Sequence, residues 1–209
     1  MSYRLYVVKQ KLLAGIRAIS DWALFVGVIL IGGIGSHWYL VERGEGLATE
    51  RDGSWIAWSS GERGEVDPYA RAHFARLGAL PPSRHIARTY LAREDNEGRA
   101  LHSSCDYTIE GPELKSRWWS IAVFDDGGNL IPNAARRYAF TRDTLAITSD
   151  GRMVVTLARD ARPGNWLPTG GGGSIAIMLV LQDGTMSVAE HMRLRDTEHL
   201  PEIVRIKCR

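Results

Sequence analysis

The sequence predicts a mainly β protein: an antiparallel β-sandwich or jelly-roll-like domain with one or two short helices, preceded by one N-terminal transmembrane helix. Three observations predict it. Trp22 to Leu40, WALFVGVILIGGIGSHWYL, is an apolar run without Asp, Glu, Lys or Arg, close to the roughly 20 residues that cross a bilayer. Beyond it, short apolar segments rich in β-branched and aromatic residues recur at regular spacing, which is the pattern of sandwiches and jelly rolls. Turn sequences such as Asp125 to Gly128, Ser149-Asp150-Gly151 and Gln182-Asp183-Gly184 separate them.

Residues 1–21 read as a basic cytoplasmic tail. Arg4, Lys9, Lys11 and Arg17 precede the span, with Asp21 at its edge, and the positive-inside rule keeps that side in the cytoplasm. The expected location is therefore the bacterial inner membrane, crossed once, with the C-terminal domain in the periplasm. A cleaved signal peptide is the competing reading, with Gly33-Ile34-Gly35 before Ser36 as its cleavage site. The run is longer than the usual h-region of about 7–15 residues. Trp38 and Tyr39 also stand where an interfacial aromatic belt belongs. Both points favour an uncleaved anchor. Gly32 and Ser36 are four apart, a small-residue spacing that lets helices approach closely, as a homo-oligomer or a membrane-protein partner would need. Glycine is also simply common in membrane helices.

Residues 41–52 are polar and read as a linker; 53–209 form the domain. Gly53 to Ser59 is a first short strand. Asp67 is a good N-cap and Pro68 fits the first helical position. Tyr69, His73, Phe74 and Leu77 then recur at helical spacing, and Gly78 ends the helix. Ile86 to Ala92 and Leu101 to Ile109 are strand-like, joined by the turn Glu94 to Gly98. Arg117 to Phe124 is the strongest strand signal. Leu130-Ile131, Tyr138 to Thr141, Leu145 to Thr148, Met153 to Ala158 and Ile175 to Leu181 follow, and Leu200 to Cys208 closes the chain in extended form. The glycines Gly170 to Gly173 lead into the strand at 175 and lack the lysine and the following helix of a phosphate-binding loop.

The chain carries 26 Lys+Arg and 24 Asp+Glu; four of the former and one of the latter precede residue 41, leaving 22 against 23 in the domain side. The basic character lies in the tail. A nucleic-acid footprint needs clustered Lys/Arg on one face, so no nucleic-acid partner is expected. Cys105 and Cys208 are the two cysteines. In an oxidising compartment an even count invites a disulfide, worth roughly 4–5 kcal/mol for a loop of about a hundred residues in the chain-entropy picture. Two unpaired thiols are the alternative.

Few residues suggest chemistry. His102-Ser103-Ser104-Cys105 sets a base beside nucleophiles, but neighbours on a strand face opposite ways, and no nucleophile elbow is present. His37, His73, His85, His102, His191 and His199 show no metal-ligand spacing, so neither a metal nor any other cofactor is expected, and no catalytic residue is assigned. Trp118 and Trp119 must face opposite sides of a strand. One fills the core; the other meets a second layer, such as the 67–78 helix, a groove or solvent. Trp166 follows Asn165 beside the glycine loop. Exposed aromatics with a nearby amide suit flat ligands and sugars. Trp119, Asn165, Trp166 and Arg137 are therefore the ligand-binding candidates, with Arg136-Arg137 otherwise a solvated basic pair. An enzyme in that groove would need Asp106, Asp125, His102 or Arg137 to converge there.

The motifs Asp67-Pro68-Tyr69-Ala70-Arg71-Ala72, Glu94-Asp95 with Gly98 and Leu101, Cys105-Asp106-Tyr107, Arg117-Trp118-Trp119-Ser120, Phe124-Asp125, Asn165-Trp166-Leu167-Pro168 and Leu200-Pro201-Glu202-Ile203 with Cys208 occur in that order. In this series, behind an anchor, the chain resembles the short, membrane-anchored bacterial members of the DUF1214 domain family. The resemblance implies a β-sandwich fold and a Cys105–Cys208 pairing. It brings no established activity. An Arg and a Tyr expected near the end of the last glycine-led strand are missing from Met178 to Gln182. The sequence reading is thus a membrane-anchored periplasmic binding or accessory protein for a membrane or envelope partner. The alternative is an envelope enzyme acting on a carbohydrate or small molecule near Trp119 and Trp166.

Overall fold

The computed structural model describes residues 2–42, 49–58, 72, 75, 87–171, 173–182 and 199–209. A long helix, α1 (Ser2–Glu42), is followed by β1 (Thr49–Asp52), β2 (Trp55–Trp58), β3 (Ala87–Ala92), β4 (Cys105–Pro112), β5 (Trp118–Asp125), β6 (Ala139–Thr141), β7 (Arg152–Ala158), β8 (Trp166–Pro168), β9 (Ile175–Gln182) and β10 (Glu202–Cys208).

The helix starts well before the predicted 22–40, at Ser2, and ends just past it, at Glu42. Its apolar stretch Gly15–Tyr39 is long and apolar enough to cross a membrane, and Trp22, Leu24, Phe25, Ile29 and Ile31 stand exposed along it. No proline interrupts this stretch, so the chain coils through it despite its glycines and satisfies its own backbone, as a bilayer requires.

The strands form two sheets, ordered β1-β2-β3-β9-β5-β6 and β10-β4-β7-β8. All pairings are antiparallel except β7 with β8. Alternation decides the faces. On β5, Trp119, Ile121 and Val123 are buried while Trp118, Ser120 and Ala122 are half-buried. Ile177, Leu179 and Leu181 of β9 point the same way as those core residues and share one cluster with Tyr107, Ile109, Met153, Val155, Leu157 and Ile203 of the second sheet. One core between two sheets is the predicted sandwich.

Four strand expectations change, one of them at Leu101 to Ile109, where the strand opens only at Cys105. The predicted strand at 53–59 is the second arm of a β1–β2 hairpin turning at Gly53, whose φ of 58° suits glycine. Its first arm lies inside the expected linker. Leu130 makes only an isolated bridge to Phe124, so no strand begins there. Leu145 to Thr148 is irregular, because the side chain of Asn165 takes both the amide and the carbonyl of Ala146. The expected helix at 67–78 lies outside the described residues, apart from Ala72 and Ala75, which are helical.

A turn at 94–100 seals the open edge of β10. Asn96 N–H donates to Ile203 O, and Ile203 N–H donates to Asn96 Oδ1. Arg205 Nη2 donates to Ala100 O. The turn is held by Asp95, which is buried and accepts from the backbone N–H of Glu97 and Arg99 and from Arg99 Nε, with Arg205 Nε 2.9 Å away. Burial pushes its carboxyl up, but those donors and the Arg205 charge outweigh it and leave its pKa below the ordinary value.

Candidate functional site

One end of the sandwich gathers polar chemistry. There β4 begins, β10 ends, β7 gives way to the 159–162 loop, and the glycine loop enters β9. Cys105 and Cys208 face each other across the β4–β10 ladder and are joined in a disulfide. The expected pairing is present. It ties residues 103 apart.

His102 to Ser104 form a turn rather than the start of a strand, since β4 opens only at Cys105. This changes the reading of that motif. Strand alternation would separate His102 from its neighbours, whereas the turn folds the imidazole back, so that His102 Nδ1 lies 2.7 Å from Ser104 Oγ and 3.2 Å from Ser104 N. Ser104 Oγ in turn lies 3.8 Å from Cys105 Sγ. Three bonds fix the turn: Tyr107 Oη accepts from His102 N–H, Ser103 N–H donates to Gly173 O, and Arg209 N–H donates to Ser104 O.

Charges ring this end. Asp106 is buried, paired with Arg162 at 2.6 Å and with Lys207 at 4.0 Å. Asp160 and Arg209 form a close exposed pair. The Arg209 guanidinium holds the Asp160 carboxyl below its usual range. Arg205 lies over the Tyr107 ring at 5.4 Å, and its Nη1 reaches Cys208 Sγ at 4.0 Å.

The expected ligand group is split by the fold. Trp119 is fully buried in the core, opposite Leu181 of β9, so its ring offers no face to a ligand and it leaves the binding set. Trp118 is the half-buried partner on the other face. Asn165 spends its side-chain amide on Ala146 and Val154 backbone groups, where it clamps a loop to β7. Trp166 and Arg137 do come together. Arg137 Nη1 donates to Trp166 O, and its guanidinium sits 6.0 Å from the Trp166 ring and 5.6 Å from that of Phe140. The Trp166 indole N–H is spent on Ala158 O.

Each of the four groups that an enzyme in that groove would need has a partner of its own. Asp106 pairs with Arg162, Asp125 accepts from Asn129 within its own hairpin turn, His102 meets Ser104, and Arg137 meets Trp166. Among the described residues no three His, Cys, Asp or Glu gather as metal ligands. Gly32 and Ser36 lie on α1, where Ser36 Oγ donates to Gly33 O within the helix. The Ser104–His102 contact is what sequence reasoning missed, and only recognising 102–104 as a turn would have found it.

Residues 87–185, just under half of the chain, match the model of a family described as "Protein of unknown function (DUF1214)". The resemblance read from the motifs holds over that stretch; the Asp67 to Ala72 and Leu200 to Cys208 motifs lie outside it. No curated protein matches the chain. Among solved structures, the VPA0106 protein from Vibrio parahaemolyticus is similar at 19% identity and a TM-score of 0.54, over 69% of this chain and 36% of that one. A putative uncharacterized protein from Burkholderia cenocepacia matches at 18% identity and a TM-score of 0.43, over 76% of this chain and 36% of its own. The chain thus spans about a third of the length of each, and the Vibrio likeness is one of fold alone.

Proposed function

We propose that this chain, with a DUF1214 stretch at 87–185 behind one apolar helix, is a single-pass protein of the bacterial inner membrane that works as a binding or accessory module for a membrane or envelope partner. Its N-terminus is cytoplasmic and its β-sandwich periplasmic. The observation that carries this is the exposed apolar length of α1 from Gly15 to Tyr39. A patch of that size needs an apolar phase around it. Arg4, Lys9, Lys11 and Arg17 before the span support the orientation, and a disulfide suits the oxidising side. Anchoring also raises the effective concentration of the domain toward membrane partners. The Gly32–Ser36 face of α1 is the place for a helix partner or a second copy.

The test is purification of the tagged full-length protein from its native membrane in mild detergent, with mass spectrometry of what accompanies it. A stoichiometric membrane partner supports the accessory reading; a solitary protein that washes off with carbonate overturns both anchor and role. Protease added to spheroplasts should remove the domain and spare the tail; the reverse pattern overturns the orientation.

A second reading rests on the half-buried Trp166 ring beside Arg137: a platform for an envelope carbohydrate or small molecule. Quenching of tryptophan fluorescence by a cell-wall sugar, lost in Trp166→Ala, would establish it.

A further inference from the structure

Arg137 is held as a fixed fork. Asn133 Oδ1 accepts from its backbone N–H, and Asn133 Nδ2 donates to its carbonyl, so the chain is tied down on both sides of its Cα. Its Nη1 is spent on Trp166 O, and its guanidinium lies 6.0 Å from the Trp166 ring. A guanidinium stacked on an indole lies roughly 4 Å from it. This one therefore stands beside the ring, which remains half-buried and partly open to solvent. The other edge of the guanidinium, carrying Nε–H and Nη2–H, meets no acceptor among the described residues. That edge of the planar group matches the two oxygens of a carboxylate. The surroundings are positive. Arg136 adjoins Arg137 with a φ of 50°, a conformation glycine would take without strain. Ile131 Cγ2 abuts Gly170, and Arg159 Nη2 comes within 3.8 Å of the Cβ position of Gly171, so the 131–137 loop, the glycine loop and Arg159 adjoin. Asp160, whose carboxyl feels the Arg159 charge, is taken by Arg209.

We propose that Arg137 and Trp166 form a subsite for an acidic sugar, a pyranose bearing a carboxylate. This rests on the reading of Trp166 as a carbohydrate platform and names the ligand class for it. The carboxylate accepts from Arg137 Nε and Nη2, and the apolar face of the sugar ring packs on the open part of the indole. The two groups are already joined through Trp166 O, so the ligand has little left to order on binding. Arg159 and Arg136 add an attractive field without touching the ring. A neutral sugar gains the stacking alone and leaves the free Arg137 edge facing water. A small anion gains the fork alone. Only a molecule with both features uses both groups.

The experiment uses the full-length protein in mild detergent, titrated with tetragalacturonate and with its methyl ester, and followed by tryptophan fluorescence. The acid is expected to bind roughly tenfold tighter than the ester, the scale of hydrogen bonds to a charged group. Arg137→Lys, which keeps the charge and loses the fork, should bring the acid down to the ester. Trp166→Ala should abolish binding of both. Arg117→Gln removes an exposed charge at the other end of β5 and should keep the preference. Equal binding of acid and ester, lost in Trp166→Ala, overturns the acidic-sugar assignment and leaves the platform reading standing; binding of neither overturns both. Glucuronate and glucose 6-phosphate then compete for the site. Displacement at lower glucuronate concentration supports the carboxylate, and the reverse order overturns it. Thermal melts accompany each variant. Should Arg137→Lys melt early, Arg159→Gln decides: a several-fold loss for the acid and none for the ester supports the subsite, and no change in either overturns it.

Discussion

α1 and β9 are similarly apolar segments with opposite fates. β9, IAIMLVLQ, buries Ile177, Leu179 and Leu181 completely between neighbours β3 and β5. The apolar half of α1 exposes Trp22, Leu24, Phe25, Ile29, Ile31 and Ile34. The difference is one of length and punctuation. Eight residues bounded by a glycine loop form a strand that a second sheet can cover. Twenty-five without a break coil into a helix whose apolar surface runs all the way round, and such a helix finds its apolar partner outside the chain. Hydrophobicity alone does not say where a segment goes; the shape it takes on decides.

Four variants would break or sharpen that contrast. The largest effect is expected for Ile29→Asp with Ile31→Asp in α1. Each aspartate at a membrane helix centre costs about 2.5–3.5 kcal/mol of insertion, so together they should release the protein to the soluble fraction, while a melt of the domain stays unchanged. Next is Trp119→Ala. It empties the core side of β5 and should cost about 3–5 kcal/mol in a denaturant titration, with no effect on membrane fractionation. Cys208→Ser should lower stability by about 2–5 kcal/mol, measured against the wild type with and without reductant; the two must coincide once the wild type is reduced. Gly170→Ala is the mildest. Gly170 has a φ of 66°, and a Cβ there would press on Ile131 Cγ2, so a loss of about 1–2 kcal/mol is expected, the usual cost of forcing a side chain into that region.

Acid supplies a fifth test, this time of the sheet edge. The folded pKa of Asp95 is lowered, so its contribution is fully present above the unfolded value of about 3.9 and is lost as pH falls through the lower folded one. Asp95→Asn should flatten the acid limb of the stability curve, and an unchanged limb would show that the carboxylate contributes little.

The strands that bury a full face were legible in the sequence. Trp118 to Asp125, Arg152 to Ala158 and Ile175 to Gln182 each alternate or run apolar, because a two-sided core leaves that imprint. β1 was not legible. Thr-Glu-Arg-Asp carries no apolar signal and is a strand only because β2 offers it a ladder. Leu145 to Thr148 erred the other way: a good local strand pattern yielded to Asn165, whose amide claims the backbone there. The candidate site was half legible. The disulfide followed from the family resemblance and from compartment, but Trp119 and Trp118 exchange roles unless one knows which face of β5 the second sheet covers. The His102–Ser104 contact was hidden because a turn overrode the alternation that governs strands.

The Asn96 clasp on β10 has a meaning for crowding. Proteins tethered to one bilayer diffuse in two dimensions and meet one another far more often than the same number in solution. Under those conditions an unpaired strand edge invites neighbouring copies to add to the sheet. By returning both hydrogen bonds of Ile203 to its own turn, the domain interrupts the β10 edge as a ladder for such additions.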